Sequence, residues 1–103
     1  MRKKVMNIKE FKKIAIPACE KFKVKRLDVF GSLARGETNS KSDVDLLVEF
    51  NDPPHELSKR FFGLLHYLED SLETRIDLLT SSNLKNPYFR EKALRERQTV
   101  YER

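Results

Sequence analysis

Phe30-Gly31-Ser32 and, ten residues later, Asp43-Val44-Asp45-Leu46 are the two stretches that decide the fold. The Gly-Ser pair follows an apolar stretch and predicts a tight turn at the end of a β-strand. Asp43 and Asp45 are two residues apart in a second predicted strand, so their side chains leave the same face. A turn that can hold phosphate therefore lies close in sequence to two acids that can hold a divalent cation.

Asp43 and Asp45 are candidate metal ligands. Neighbouring carboxylates repel each other, and a fold tolerates that repulsion poorly unless a cation lies between them. Ligand sets made only of oxygen favour magnesium or manganese over zinc. Asp-x-Asp at the start of a strand is also compatible with a solvated strand edge, so the pair alone does not decide the matter.

Asp77 strengthens the metal hypothesis. It lies in Arg75-Ile76-Asp77-Leu78-Leu79, part of a further strand predicted over residues 74–79. If this strand neighbours the one at residues 43–50, a third carboxylate joins the pair. Three carboxylates can hold two metal ions for an in-line displacement at phosphorus. The alternative is an ion pair between Asp77 and Arg75 or another surface base.

Gly31 and Ser32 are candidate phosphate ligands. Glycine lets the backbone turn closely, and the start of the next short helix offers unpaired amides to a polyanion. Arg35, one helical turn further on, could reach the same phosphates. Ser42 could position the first acid. Each residue also has an ordinary explanation: a turn, a surface arginine or the start of a strand.

The remaining sequence predicts the elements around these motifs. Asn7-Ile8-Lys9-Glu10 has the form of a capping box, and helical spacing continues to Phe22, with Pro17 predicting a kink or two short helices. Strands are predicted over residues 26–30, 43–50 and 74–79, and helices over residues 33–35, 57–72 and 88–97. The order αβαβαβα predicts a small layered α/β domain.

Composition excludes several classes of protein. A chain of 103 residues, 39% apolar and 36% charged, predicts one domain over residues 1–103. No apolar run approaches the roughly 20 residues of a membrane span, and the basic start is not followed by the apolar segment of a secretory signal. The single cysteine, Cys19, excludes an internal disulfide and fits a reducing cytoplasm.

The net charge of +5 is unevenly distributed along the chain. Residues 1–36 carry eleven Lys or Arg and three Asp or Glu, whereas residues 37–79 carry four and ten. An acidic middle between basic ends suits a metal site flanked by groups that attract an anion or an acidic partner. The basic segment lacks the interleaved aromatic residues of single-strand binders, so we expect no direct binding of nucleic acid.

The motifs together resemble the minimal nucleotidyltransferases of the DNA polymerase beta superfamily. Their signature is an apolar residue, Gly-Ser, a spacer near ten residues, and Asp-apolar-Asp-apolar. Residues 30–37 and 42–48 match this signature, and residues 75–79 look like the strand of the third carboxylate. Residues 84–101 look like the tail of these small proteins, so the resemblance covers nearly the whole chain.

The resemblance implies a fold and a site. The fold would be an α/β (α+β) domain with a small mixed β-sheet and helices packed on one side. The cofactors would be two Mg²⁺ ions, or Mn²⁺, with ATP as the donor substrate. The catalytic and metal-binding residues would be Asp43, Asp45 and Asp77. The nucleotide-binding residues would be Gly31, Ser32, Arg35 and Ser42.

The resemblance also implies an activity and a partner. Proteins of this kind transfer AMP from ATP to a tyrosine hydroxyl of a HEPN-domain ribonuclease toxin, and so act as cytoplasmic antitoxins. About twenty-five residues follow Asp77, too few to enclose both a base and an acceptor, so we expect a partner to complete the site. No membrane partner is expected.

Two other functions stay open at this point. One is an antitoxin that blocks its toxin by contact alone, which the loss of a carboxylate would favour. The other is a nucleotidyltransferase acting on a small molecule or an RNA end, with its pocket completed by self-association. A homodimer whose cleft faces the metal site would favour that alternative.

Overall fold

The computed structural model describes residues 7–36, 44–50, 56–80 and 84–103. Within these ranges the helices are α1 (Ile8–Lys21), α2 (Ser32–Arg35), α3 (Leu57–Leu72) and α4 (Pro87–Glu96). The strands are β1 (Val24–Phe30), β2 (Val44–Phe50), β3 (Ile76–Leu79) and β4 (Gln98–Glu102). None of the helices in the described ranges is long and apolar enough to cross a membrane.

The strands form one mixed sheet in the order β3-β2-β1-β4. β1 runs antiparallel to both β2 and β4, whereas β2 and β3 run parallel. Two parallel strands need a long crossover connection, and α3 lies in the chain between them. The expected small mixed sheet with packed helices is confirmed, although α4 lies on the face opposite to α1 and α3 rather than on one side with them.

The main core lies between one face of the sheet and the two long helices. Phe11 of α1 and Leu64 and Leu68 of α3 are fully buried in one cluster with Leu27 and Leu46 of the sheet. A smaller cluster lies on the opposite face, where α4 supplies Ala93. It consists of Phe30, Leu47, Leu84 and Ala93.

The start of α1 follows the predicted capping box. The Asn7 side-chain oxygen accepts a hydrogen bond of 2.8 Å from the backbone N–H of Glu10. Pro17 lies inside one continuous helix, so the alternative of two short helices is wrong. Phe11 and Ala18, on either side of the proline, are both buried in the main core, and this packing holds the two halves together.

β4 is the element that the sequence analysis missed. Only Val100 of this strand is buried, so the strand lacks the apolar alternation that identifies a strand locally. Its pairing with β1 defines it, since Leu27 is opposite Tyr101 and Asp28 is opposite Thr99.

Asp28 of β1 is a buried carboxylate that links β1 to the end of α4. It is 1% exposed. Arg26 Nε donates to it over 3.1 Å, and Arg97 Nη1 donates over 3.3 Å. The hydrogen bond to Asp28 raises the pKa of the Arg26 guanidinium. The carboxylate therefore fixes the point where α4 passes into β4.

We predict that Asp28→Asn lowers the free energy of unfolding by about 2 kcal/mol, because a buried charged acceptor of two hydrogen bonds is lost. Urea denaturation measures this change. Glu102→Gln is the control, since Glu102 contacts the same Arg26 at 3.6 Å but is 59% exposed. We expect this variant to lower the free energy of unfolding by less than about 1 kcal/mol. Equal losses in the two variants would contradict this account of Asp28.

Cys19 gives a prediction about pH. Burial, and secondarily the charge of Glu20, raise the pKa of the Cys19 thiol from 9.0 to about 12. The unfolded chain therefore loses this proton first, and stability falls as pH rises from about 9 towards 12. The difference in Tm between wild type and Cys19→Ala should shrink over that range. A difference that stays constant with pH would contradict the prediction.

Candidate active site

The parallel pairing of β2 and β3 brings two of the predicted acids together. Asp45 and Asp77 are register partners, so their side chains leave the same face of the sheet from neighbouring strands. Asp45 is half-buried and Asp77 is exposed. Asp43 precedes the first residue of β2 and lies outside the described residues, as does Ser42.

Gly31 lies directly beside Asp45. Phe30, at the end of β1, is the register partner of Asp45 across the antiparallel pair. Gly31 follows with φ +73°, a conformation that favours glycine. A Cβ at this position would overlap Asp45 Oδ2 and would lie 3.3 Å from Asp45 Cγ. The turn therefore needs glycine both for its backbone angle and for the space that the carboxylate occupies.

The predicted phosphate helix is one turn long. α2 begins at Ser32, whose side chain lies outside the described part, and the residue that follows the helix is Gly36, with φ +73°. The Gly36 N–H donates to the Leu33 carbonyl over 3.2 Å. Arg35, the last residue of α2, forms an ion pair of 3.0 Å between its Nη1 and Glu96 Oε1. The proposed phosphate contact is thus already held by another residue of the chain.

The donor set fits a hard divalent cation. Asp45 and Asp77 offer only carboxylate oxygens, the ligand type that suits Mg²⁺ and Mn²⁺. The space that a side chain at position 31 would need is occupied by the Asp45 carboxylate. Within the described ranges no three His, Cys, Asp or Glu side chains come together, so the fit rests on this pair.

An apolar cavity of about 250 Å³ lies elsewhere in the described structure. Phe50 and Thr80 lie at the carboxyl ends of β2 and β3, whereas Asp45 and Asp77 are the second residues of these strands. The cavity is therefore separate from the acids. Its lining residues are Phe50, Leu57, Ser58, Phe61, Phe62 and Thr80.

Two residues near the site were missed in the sequence. One is Glu96, which forms the ion pair with Arg35. The other is Gln98, whose Nε2 donates to the Ala34 carbonyl over 2.5 Å. These contacts span 61 and 64 residues. No local pattern carries such a signal, because the contacts depend on β4 pairing with β1.

The chain is similar to known proteins in both sequence and fold. Residues 8–100 match the model of a protein family that is described as a nucleotidyltransferase domain. A candidate protein adenylyltransferase of Methanocaldococcus jannaschii is 48% identical over 71 residues, which is 69% of this chain and 70% of the relative. A solved candidate minimal nucleotidyltransferase is similar with a TM-score of 0.71 and 33% identity, over 90% of this chain and 95% of that chain.

A more distant structure shares the fold alone. It is a chain from the complex of a tri-AMPylated Shewanella oneidensis HEPN toxin with an MNT antitoxin. The TM-score is 0.64 at 14% identity, and the match covers 93% of this chain and 73% of that chain.

The two turn glycines give a matched pair of variants. Gly31→Ala and Gly36→Ala both place alanine at φ +73°, at a cost of about 1–2 kcal/mol each. Among the described atoms, none lies within 4 Å of a Cβ at position 36. We predict that Gly31→Ala loses more stability in urea and weakens Mn²⁺ binding, since it displaces Asp45. Equal stability losses with equal Mn²⁺ binding would contradict this.

Proposed function

The chain belongs to the nucleotidyltransferase domain family, and we propose that it transfers AMP from ATP to a hydroxyl group of a partner protein. The observation that carries this proposal is the in-register pair Asp45 and Asp77, with the glycine turn packed against one of its carboxylates. The name of the Methanocaldococcus jannaschii relative, at 48% identity, supports transfer to protein.

We further propose that Asp45 and Asp77, together with Asp43, hold two Mg²⁺ or Mn²⁺ ions. When bound, such ions neutralise the charge that builds up on the phosphates during transfer. The residues of the chain position the donor. Gly31 keeps the backbone close to Asp45, and Arg35 contacts the phosphates beside it, with Ser32 and Ser42 as further contacts.

The exposure of Asp77 suits a large acceptor. This side chain is exposed on the sheet, whereas Asp45 beside it is half-buried. An acceptor hydroxyl that approaches from the side of Asp77 releases its proton to solvent, and its oxygen forms a bond to the α phosphorus as the bond to pyrophosphate breaks. Holding the two groups in line supplies much of the acceleration, because charge and position are set before the reaction.

The acceptor that we propose is a tyrosine of a HEPN-domain toxin, which makes the chain an antitoxin. The distant structural neighbour supports this choice, because that complex contains an AMPylated HEPN toxin. The predicted location in the cytoplasm and the extent of the domain over residues 1–103 remain parts of this proposal.

The test is transfer of label from [α-³²P]ATP, with Mg²⁺, to the protein encoded next to this gene, which the proposal expects to be a HEPN-domain toxin. Asp45→Asn and Asp77→Asn should each lower the rate by about 100-fold or more, as expected when a group that stabilises the transition state is lost. Glu49→Gln is the matched control, because Glu49 is an exposed acid on the same strand and face as Asp45. Its rate should stay within about twofold of wild type.

Three outcomes would contradict the proposal. Label that never appears, while wild type and both Asp variants silence the toxin equally, would indicate inhibition by contact alone. Label on RNA or on a small molecule instead of protein would indicate another acceptor. Label lost equally in Glu49→Gln would mean that the acid pair has no special role.

A further inference from the structure

We propose that Glu96 is a positioning residue that holds Arg35 ready for the triphosphate of ATP, so that the segment from α4 to β4 completes the nucleotide site. This inference rests on the proposed function, because it assumes that Arg35 contacts the donor phosphates. It assigns a role to the end of the chain, which lies more than sixty positions from the glycine turn.

The geometry at Arg35 is the first argument. Arg35 Nη1 and Glu96 Oε1 are 3.0 Å apart, close enough for a charge-assisted hydrogen bond. The Arg35 side chain is 41% exposed and the Glu96 side chain is 25% exposed. The pair is therefore partly shielded from water, which orders a long side chain better than a fully exposed pair does.

The anchoring of Glu96 is the second argument. The next two residues in the chain both form side-chain hydrogen bonds to β1 or α2, the elements on either side of the glycine turn. Arg97 donates to the buried Asp28 over 3.3 Å, and Gln98 donates to the Ala34 carbonyl over 2.5 Å. Three consecutive side chains thus contact β1 or α2. A carboxylate held in this way can fix the orientation of the guanidinium that it binds.

The shortness of α2 is the third argument. A helix of four residues has few internal hydrogen bonds, so its last side chain depends on outside contacts for a defined position. Arginine loses considerable rotamer freedom when it binds a phosphate. A carboxylate that orders Arg35 beforehand reduces this loss, which is the general basis of preorganised binding.

A second ion pair in α4 provides the comparison. Glu91 and Arg95 form an i,i+4 pair in the same helix, and both side chains are about 70% exposed. Both residues of this pair belong to α4, so the pair does not connect α4 to another element. Loss of Glu91 therefore removes a carboxylate and an ion pair from α4 without affecting Arg35.

The experiment is a double-mutant cycle on the full chain. Calorimetry with Mg²⁺ measures the Kd of a non-hydrolysable ATP analogue for wild type, Glu96→Ala, Arg35→Ala and the double variant. We expect Glu96→Ala to weaken binding about tenfold. The double variant should bind as Arg35→Ala does, since Glu96 acts through Arg35. Glu96→Gln keeps an acceptor for Arg35 and should recover part of the affinity.

Two controls separate positioning from a general loss of structure. Glu91→Ala should bind the analogue as wild type does, and AMP, which lacks the β and γ phosphates, should bind all the variants with similar affinity. A merely structural role would weaken AMP binding too. Because calorimetry needs no transfer, the result does not depend on whether the partner protein is modified.

Several results would overturn the inference. Independent, additive losses in the double variant would show that Glu96 does not act through Arg35. Tighter binding in Glu96→Ala would show that the carboxylate competes with phosphate for the guanidinium. Unchanged binding in Glu96→Ala, with transfer of AMP intact in wild type, would refute the positioning role and leave the proposed function standing.

Discussion

The parallel register of β2 and β3 is the constraint on which the site depends. Side chains alternate along a strand, so a slip of one residue would move Asp77 to the opposite face and away from Asp45. The buried faces prevent that slip. Val44 is paired with Ile76 and Leu46 with Leu78, and all four side chains are buried against the helices. The apolar core therefore places the acids, although the acids themselves lie on the other face.

The C-terminal segment is the second support of the site. β4 pairs with β1, the strand that ends in the glycine turn. The buried Asp28 binds Arg97 at the junction of α4 and β4. Glu96 lies at the same junction and forms the ion pair with Arg35. The proposed phosphate contacts and the proposed metal ligands are thus held by different parts of the chain. They meet where Gly31 packs against Asp45.

The sequence was sufficient wherever the signal is local. Asn7 and Gly31 each act within a few residues, and their predicted roles in capping and turning appear in the structure. The pairing of Asp45 with Asp77 was predicted only on the condition that β2 and β3 are neighbours in the sheet. The sequence pattern of one strand does not identify the strand beside it. β4 and Glu96 were missed, since both depend on contacts between distant residues. Asp43 and Ser42 lie outside the described residues, so their assigned roles stay predictions.

The most direct test of the account is a crystal structure with Mn²⁺ and a non-hydrolysable ATP analogue, collected for anomalous scattering of manganese. The account predicts an anomalous peak within coordination distance of the carboxylates of Asp45 and Asp77, with the analogue's phosphates beside Gly31 and Arg35. Manganese bound elsewhere, or an analogue bound away from both carboxylates, would contradict the claim that this pair of acids forms the catalytic centre.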